Sequence, residues 1–170
     1  ARKILSGMTL GAVIFGITLS TLHQSGLGAL FLMAREKIHP LWYSEFIPIL
    51  FFVSSIFAGL SMVIFEGSIS YKVFSDQIDE EKKKKRYDIV HGLAKICTMT
   101  MFIYFFLQVV NFVHGKNLEY LNTRMGYWFL VEMIGFVLLP MAMFFYSYRR
   151  RNILLIKVAA IVTILGIVIN

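Results

Sequence analysis

The sequence predicts an all-α membrane protein with about five transmembrane helices, and three observations predict it. Hydrophobic residues make up 58% of the chain and charged residues only 16%, with a mean hydropathy of +0.70. A soluble domain averages about 45–50% apolar and about 25% charged residues, so the balance is that of a chain dissolved in lipid. The apolar residues also fall in runs long enough to span a bilayer, since about 20 helical residues cover its hydrocarbon layer. Finally, the net charge of +7 comes from short basic clusters between those runs, as in membrane loops and unlike a nucleic-acid-binding surface.

Read in order as one membrane domain over 1–170, the helices are expected near 4–22, 46–69, 89–113, 127–146 and 153–169. The first leads into "STLHQSGLGALFLM", where His23, Gln24 and Ser25 stand at its outer end and Gly16, Ser20 and Gln24 share a face. A short outer connection, with Arg35, Lys37, His39 and Trp42, precedes the second helix, which Pro48 opens in its first turn. The stretch "DQIDEEKKKKRYD" reads as a solvated inner connector to the third helix. Pro140 is expected to kink the fourth, and Gly7 and Gly11 have the small-xxx-small spacing that lets helix backbones approach. No cleavable signal is visible. The missing initiator Met and the unflanked last run suggest a piece of a longer subunit.

Orientation follows from the loop cations. With the N-terminus inside, the inner loops hold eleven Lys and Arg: Arg2, Lys3, Lys72, Lys82, Lys83, Lys84, Lys85, Arg86, Arg149, Arg150 and Arg151. The outer loops hold four, Arg35, Lys37, Lys116 and Arg124, so the cytoplasmic membrane with this N-terminus on the cytoplasmic side is the expected placement. Trp42, Tyr43, Tyr120, Tyr127 and Trp128 then gather at the outer interface, where amphipathic rings settle.

Ionisable groups at membrane depth mark function by default, because exposing them to lipid costs several kcal/mol. Ser55, Gly59, Met62 and Glu66 share one face of the second helix. Tyr104, Gln108, Asn111 and His114 form a stripe on the third that ends at the outer surface, and His91, Lys95 and Thr98 form another near its inner end. Glu132 is set within the fourth helix. Each has a structural alternative: the two carboxylates can bridge helices, and Lys95 can snorkel.

A quinone or quinol fits these groups. Its apolar tail dissolves in the bilayer while its ring oxygens need donors and acceptors near the interface. Histidine suits proton exchange between quinol and water, and Gln and Ser hold an oxygen without titrating. His23, Gln24, Ser25, Glu66 and Glu132 are therefore the candidate quinone-binding or proton-relay residues, and Arg35, His39 and Trp42 the candidate partner-docking residues. The single cysteine, Cys97, excludes a disulfide framework and any iron–sulfur or zinc site made by this chain alone. A haem b would need two facing histidines at one depth; His23 and His114 share the outer level, which allows a haem without calling for one.

The motifs themselves resemble the NrfD/HybB/DsrP-like family, named after polysulfide reductase and hydrogenase b-type membrane subunits. The resembling residues are His-Gln-Ser at 23–25, Gly28, His-Pro-Leu-Trp at 39–42 and Ile-Phe-Glu-Gly at 64–67, followed by Trp128, Glu132 and Pro140. The resemblance implies a larger fold of two four-helix bundles, of which this chain is the middle to second half. It also implies electron exchange between menaquinone and a periplasmic-side iron–sulfur subunit tied to a hydrogenase, multihaem cytochrome or molybdoenzyme. It implies no redox centre of the subunit's own. The alternative is a non-redox anchor or an ion-coupled transporter bundle; a transporter predicts inverted repeats and broken helices at mid-membrane. No internal repeat is visible, and the segments are unbroken apart from Pro140.

Overall fold

In the computed structural model, which describes residues 2–74, 80–115 and 117–169, the chain is built from helices and short connections. The order is α1 (Arg2–Leu32), a 3-10 turn (Arg35–Lys37), α2 (Ile47–Val73) and α3 (Glu80–His114). A second 3-10 turn (Asn117–Asn122) leads into α4 (Arg124–Val131), a π-helical segment (Glu132–Leu138), α5 (Leu139–Arg150) and α6 (Ile153–Ile169). Among the described residues there is no strand. Four stretches are long and apolar enough to cross a membrane: Gly11–Leu32, Ile47–Val73, Lys83–His114 and Arg124–Arg150. At 17 residues α6 is shorter, at the lower limit for a span.

Two helices run further than the hydropathy reading placed them. α1 continues past the expected end at 22 to Leu32, so His23, Gln24 and Ser25 lie inside a helix and not at its end. Polar side chains do not interrupt a backbone ladder, and Gly26 and Gly28 stay helical because lipid leaves the backbone no other partner. α3 begins at Glu80 instead of 89, so most of the expected charged connector is its first turns; the part at 75–79, like Lys116, lies outside the described residues. Glu and Lys are good helix formers, and acidic residues ahead of Lys84 and Lys85 at i, i+4 suit both pairing and the helix dipole.

The core lies between α2, α3, α5 and α6. Phe57 and Ile64 from α2, Cys97 and Met101 from α3, Phe144 from α5 and Ile156 and Ala160 from α6 are buried together. The Cys97 thiol lies 3.6 Å from the Ser61 hydroxyl. α5 and α6 are joined by a tight turn in which Arg151 takes a left-handed conformation, φ 51°, and the Asn152 side chain accepts from the Leu155 N–H at 3.3 Å.

α1 packs on α2, and Gly28 sets their approach: a Cβ there would lie 2.9 Å from the Pro48 Cα. Phe31 and Phe51 meet beside it with ring centroids 5.4 Å apart. Gly28→Leu is expected to push the two helices apart and cost about 1–3 kcal/mol, typical of overpacking. Thermal unfolding of the detergent-solubilised protein measures it, and an unchanged midpoint would contradict this packing. At Gly11, Gly16 and Gly26 the α1 surface is open, with no atom within 4 Å of where a Cβ would sit.

Candidate functional site

The polar chemistry inside the bundle gathers where the connection after α1 folds over α4. Thr123 caps α4: its hydroxyl donates to the Tyr120 carbonyl at 2.6 Å and accepts from the Gly126 N–H at 3.1 Å. Gly126 is buried against the Tyr120 and Leu121 carbonyls, which leaves no room for a side chain. Six residues on, the helix changes to π geometry at Glu132 and holds it to Leu138, just before Pro140, whose missing N–H removes one rung of the α ladder. π-segments are rare and often occur at functional sites, because they re-aim side chains without ending the helix. The expected irregularity at Pro140 therefore takes the form of a widened turn on its N-terminal side.

Glu132 accepts a hydrogen bond from the Trp42 indole N–H at 3.0 Å, across 90 residues of sequence. Trp42 reaches it because His39, Pro40 and Leu41 turn tightly: the Trp42 N–H bonds the His39 carbonyl at 2.9 Å and the Leu41 N–H donates to His39 Nδ1 at 3.3 Å. That contact puts the hydrogen of neutral His39 on Nε2. The Leu41 side chain is buried with Phe129 and Met133. Rings then run inward from the surface: Tyr120 against His39, His39 against Trp42 and Trp42 against Phe129, each at 5.7 Å, and Phe129 stacked on Phe112 at 5.9 Å.

Beside Phe129 is a half-open apolar groove of about 200 Å³ between α3 and the α4–π segment, lined by Phe105, Phe112, Phe129 and Met133, by the exposed Val109 and Ile134, and by one residue with a polar side chain, Gln108. Gln108 is 7% exposed, and its Oε1 has no hydrogen-bond partner among the described residues. An unmet buried acceptor costs about 1–3 kcal/mol, so a position that keeps one is informative. Apolar cavities of about 150 Å³ take up benzene, so this groove has room for a ring. Tyr104, four residues before Gln108, lies within electrostatic reach of Glu132 and packs edge-on against Phe57 at 5.4 Å. Asn111, three residues after Gln108, is also buried.

The candidate residues named from sequence divide accordingly. Glu132, Trp42 and His39 come together, with Trp42 half-buried and its indole turned to Glu132. Arg35 is exposed, 5.4 Å over the Tyr43 ring. His23 is exposed on α1, with Gln24 and Ser25 half-buried, and Glu66 is exposed on α2; the structure does not bring these four to Glu132. Gln108 was absent from the candidate set although its stripe was visible. The signal that singles it out is burial beside a void, which spacing alone does not carry. Among the described residues no group of His, Cys, Asp and Glu could hold a metal ion.

Long apolar helices with a few polar groups gathered at one end of the bundle define a polytopic helical membrane protein. The family profile of "Polysulphide reductase, NrfD" matches residues 2–170, and the chain belongs to that family. It is 46% identical over 169 residues, 99% of its length, to a protein of Nitratidesulfovibrio vulgaris, of which it covers 44%. Over 58 residues, 34% of its length, it is 43% identical to the probable Ni/Fe-hydrogenase 2 b-type cytochrome subunit of Escherichia coli, covering 15% of that protein. The chain thus spans less than half the length of these curated relatives. No solved structure matches it.

Proposed function

We propose that this chain is the part of a respiratory membrane subunit that exchanges electrons between menaquinol and a partner iron–sulfur or cytochrome subunit. The observation that carries the reading is the ring-sized apolar groove beside Gln108, a buried side chain whose Oε1 has no partner among the described residues. A quinol hydroxyl can donate to Oε1. After oxidation the carboxamide can turn over and offer its N–H to the quinone carbonyl, so one side chain serves both redox states without titrating. Oxidation of the quinol releases two electrons and two protons. The electrons pass to the partner's redox group, docked over the His39–Tyr120 end with Arg35 exposed on it, and Glu132 behind Phe129 is the proton-relay carboxylate. The likeness to the probable Ni/Fe-hydrogenase 2 b-type cytochrome subunit of Escherichia coli supports a redox complex. The lysine and arginine bias supports a cytoplasmic membrane placement with the His39 end outside.

His23 on α1 and Glu66 on α2 are exposed relay candidates, and Gln24 and Ser25 are half-buried candidates on the α1 face that carries Gly28. In the assembled complex, Glu132→Gln is expected to keep an oxygen for the Trp42 indole, and so the fold, while flattening the pH dependence of quinol oxidation. His23→Ala should lower turnover by a smaller factor, with assembly intact. Turnover and a pH profile identical to wild type in Glu132→Gln would remove the carboxylate from the proton path. Intact assembly with no quinol-linked electron flow in the unmodified complex would favour the anchor reading instead.

A further inference from the structure

The opposite, basic end of the bundle holds a second concavity, of about 440 Å³, where the end of α2, the first turns of α3 and the α5–α6 turn converge. Lys83, Lys84 and Arg151 line it together with Asp88, His91 and Tyr71, so three fixed cations face one carboxylate. Its histidine keeps one ring nitrogen without a partner among the described residues. His91 Nδ1 lies 2.8 Å from the Tyr87 carbonyl, which can only accept, so Nδ1 carries a hydrogen. Nε2 is buried and has no hydrogen-bond partner among the described residues; in the imidazolium form it becomes a second donor.

The arginine is held at a conformational cost. Arg151 is the one non-glycine with positive φ among the described residues, at a helix C-terminus where glycine is the usual occupant. A left-handed conformation costs a side-chain-bearing residue about 1–2 kcal/mol, so the guanidinium at this corner is kept against local preference. Neighbouring guanidinium groups lie over rings along the same end: Arg86 4.0 Å from the Tyr71 ring, Arg149 4.9 Å from Phe145 and Arg150 5.7 Å from Tyr146. Arg86 also donates to the Gly67 carbonyl at 2.8 Å, and the cations that line the pocket are Lys83, Lys84 and Arg151.

The geometry points to a phosphate-binding site here, formed by Lys83, Lys84, His91 and Arg151, that takes the phosphodiester headgroup of an anionic phospholipid. Basic pockets between transmembrane helices on the cytoplasmic side suit such headgroups. Exposed Phe102 and Phe106 lie further along α3 at the helical spacing of Lys84, Asp88 and His91, apolar surface of the kind that acyl chains cover. The site stands independently of the quinol reading, because it lies at the other end of the bundle and uses none of the same residues.

The test uses the full-length protein purified in detergent, delipidated, and titrated with phosphatidylglycerol, phosphatidylcholine or inorganic phosphate, with bound lipid counted by native mass spectrometry and stability followed by thermal shift. Phosphatidylglycerol is expected to bind at least about tenfold more tightly than phosphatidylcholine, a difference of about 1.4 kcal/mol. Lys84→Gln combined with Arg151→Gly should abolish that preference. Arg151→Gly alone should weaken binding while leaving the lipid-free melting temperature equal or higher, since glycine relieves the left-handed turn. Equal binding of the two lipids, or a preference untouched by the double substitution, overturns the site. A thermal shift with inorganic phosphate but none with phosphatidylglycerol overturns the lipid as its source.

Discussion

Replacing Gln108 with leucine should make the protein more stable and less active. The side chain is buried in an apolar wall with its Oε1 unmet, so removing the amide relieves a penalty of about 1–3 kcal/mol and should raise the melting temperature by a few degrees. On the proposed function, the same change takes away the hydrogen bond that Gln108 offers a quinol ring oxygen. A hydrogen bond of about 1.5 kcal/mol corresponds to about tenfold, so quinol-linked turnover should fall by at least that factor while the complex assembles normally. Opposite signs in the two measurements are the mark of a site kept for a ligand. If stability and turnover fell together, Gln108 would be a structural residue; if turnover held, the cavity would not be where the ring sits. Gln108→Asn keeps an amide one methylene short and should fall between.

Gly126→Val should prevent α4 from starting where it does. A Cβ at this position would lie 2.7 Å from the Leu121 carbonyl carbon and closer still to the Tyr120 and Leu121 oxygens, all backbone atoms that no rotamer change can move. Overpacking costs about 1–3 kcal/mol when side chains can yield, and contact with backbone puts this change at or above the top of that range. The expected result is little folded protein in the membrane and a sharply lowered melting temperature for what remains. Because Glu132 follows on the same helix, the Trp42 indole should lose its acceptor, which a change in tryptophan fluorescence would report. Normal accumulation and an unchanged emission spectrum would show that the 120–126 turn has slack that its close contacts deny.

The architecture was largely legible in the residues. Apolar run lengths are set by bilayer thickness, a constraint that does not depend on neighbouring helices, so five runs became helices. The limits were less legible, as α1 shows. His23, Gln24 and Ser25 look like an end because they are polar, yet polarity of a side chain does not break a helix whose backbone has only itself to bond. The charged stretch before α3 misled in the same way, since Glu and Lys are at once loop-like in hydropathy and strong helix formers.

The sequence by itself determined that this chain is a stack of membrane-spanning helices, which family it resembles, and which rare polar groups it keeps, because each of those follows from composition and local order along the chain. The tertiary structure alone decided which of those groups meet. Trp42 reaches Glu132 across 90 residues through a tight turn and a π-segment, and Gln108 becomes conspicuous only when α3 packs beside α4 and buries it next to an apolar groove. Pairing between distant helices depends on rotation and depth at their contacts, and a hydropathy pattern with its single dimension carries neither.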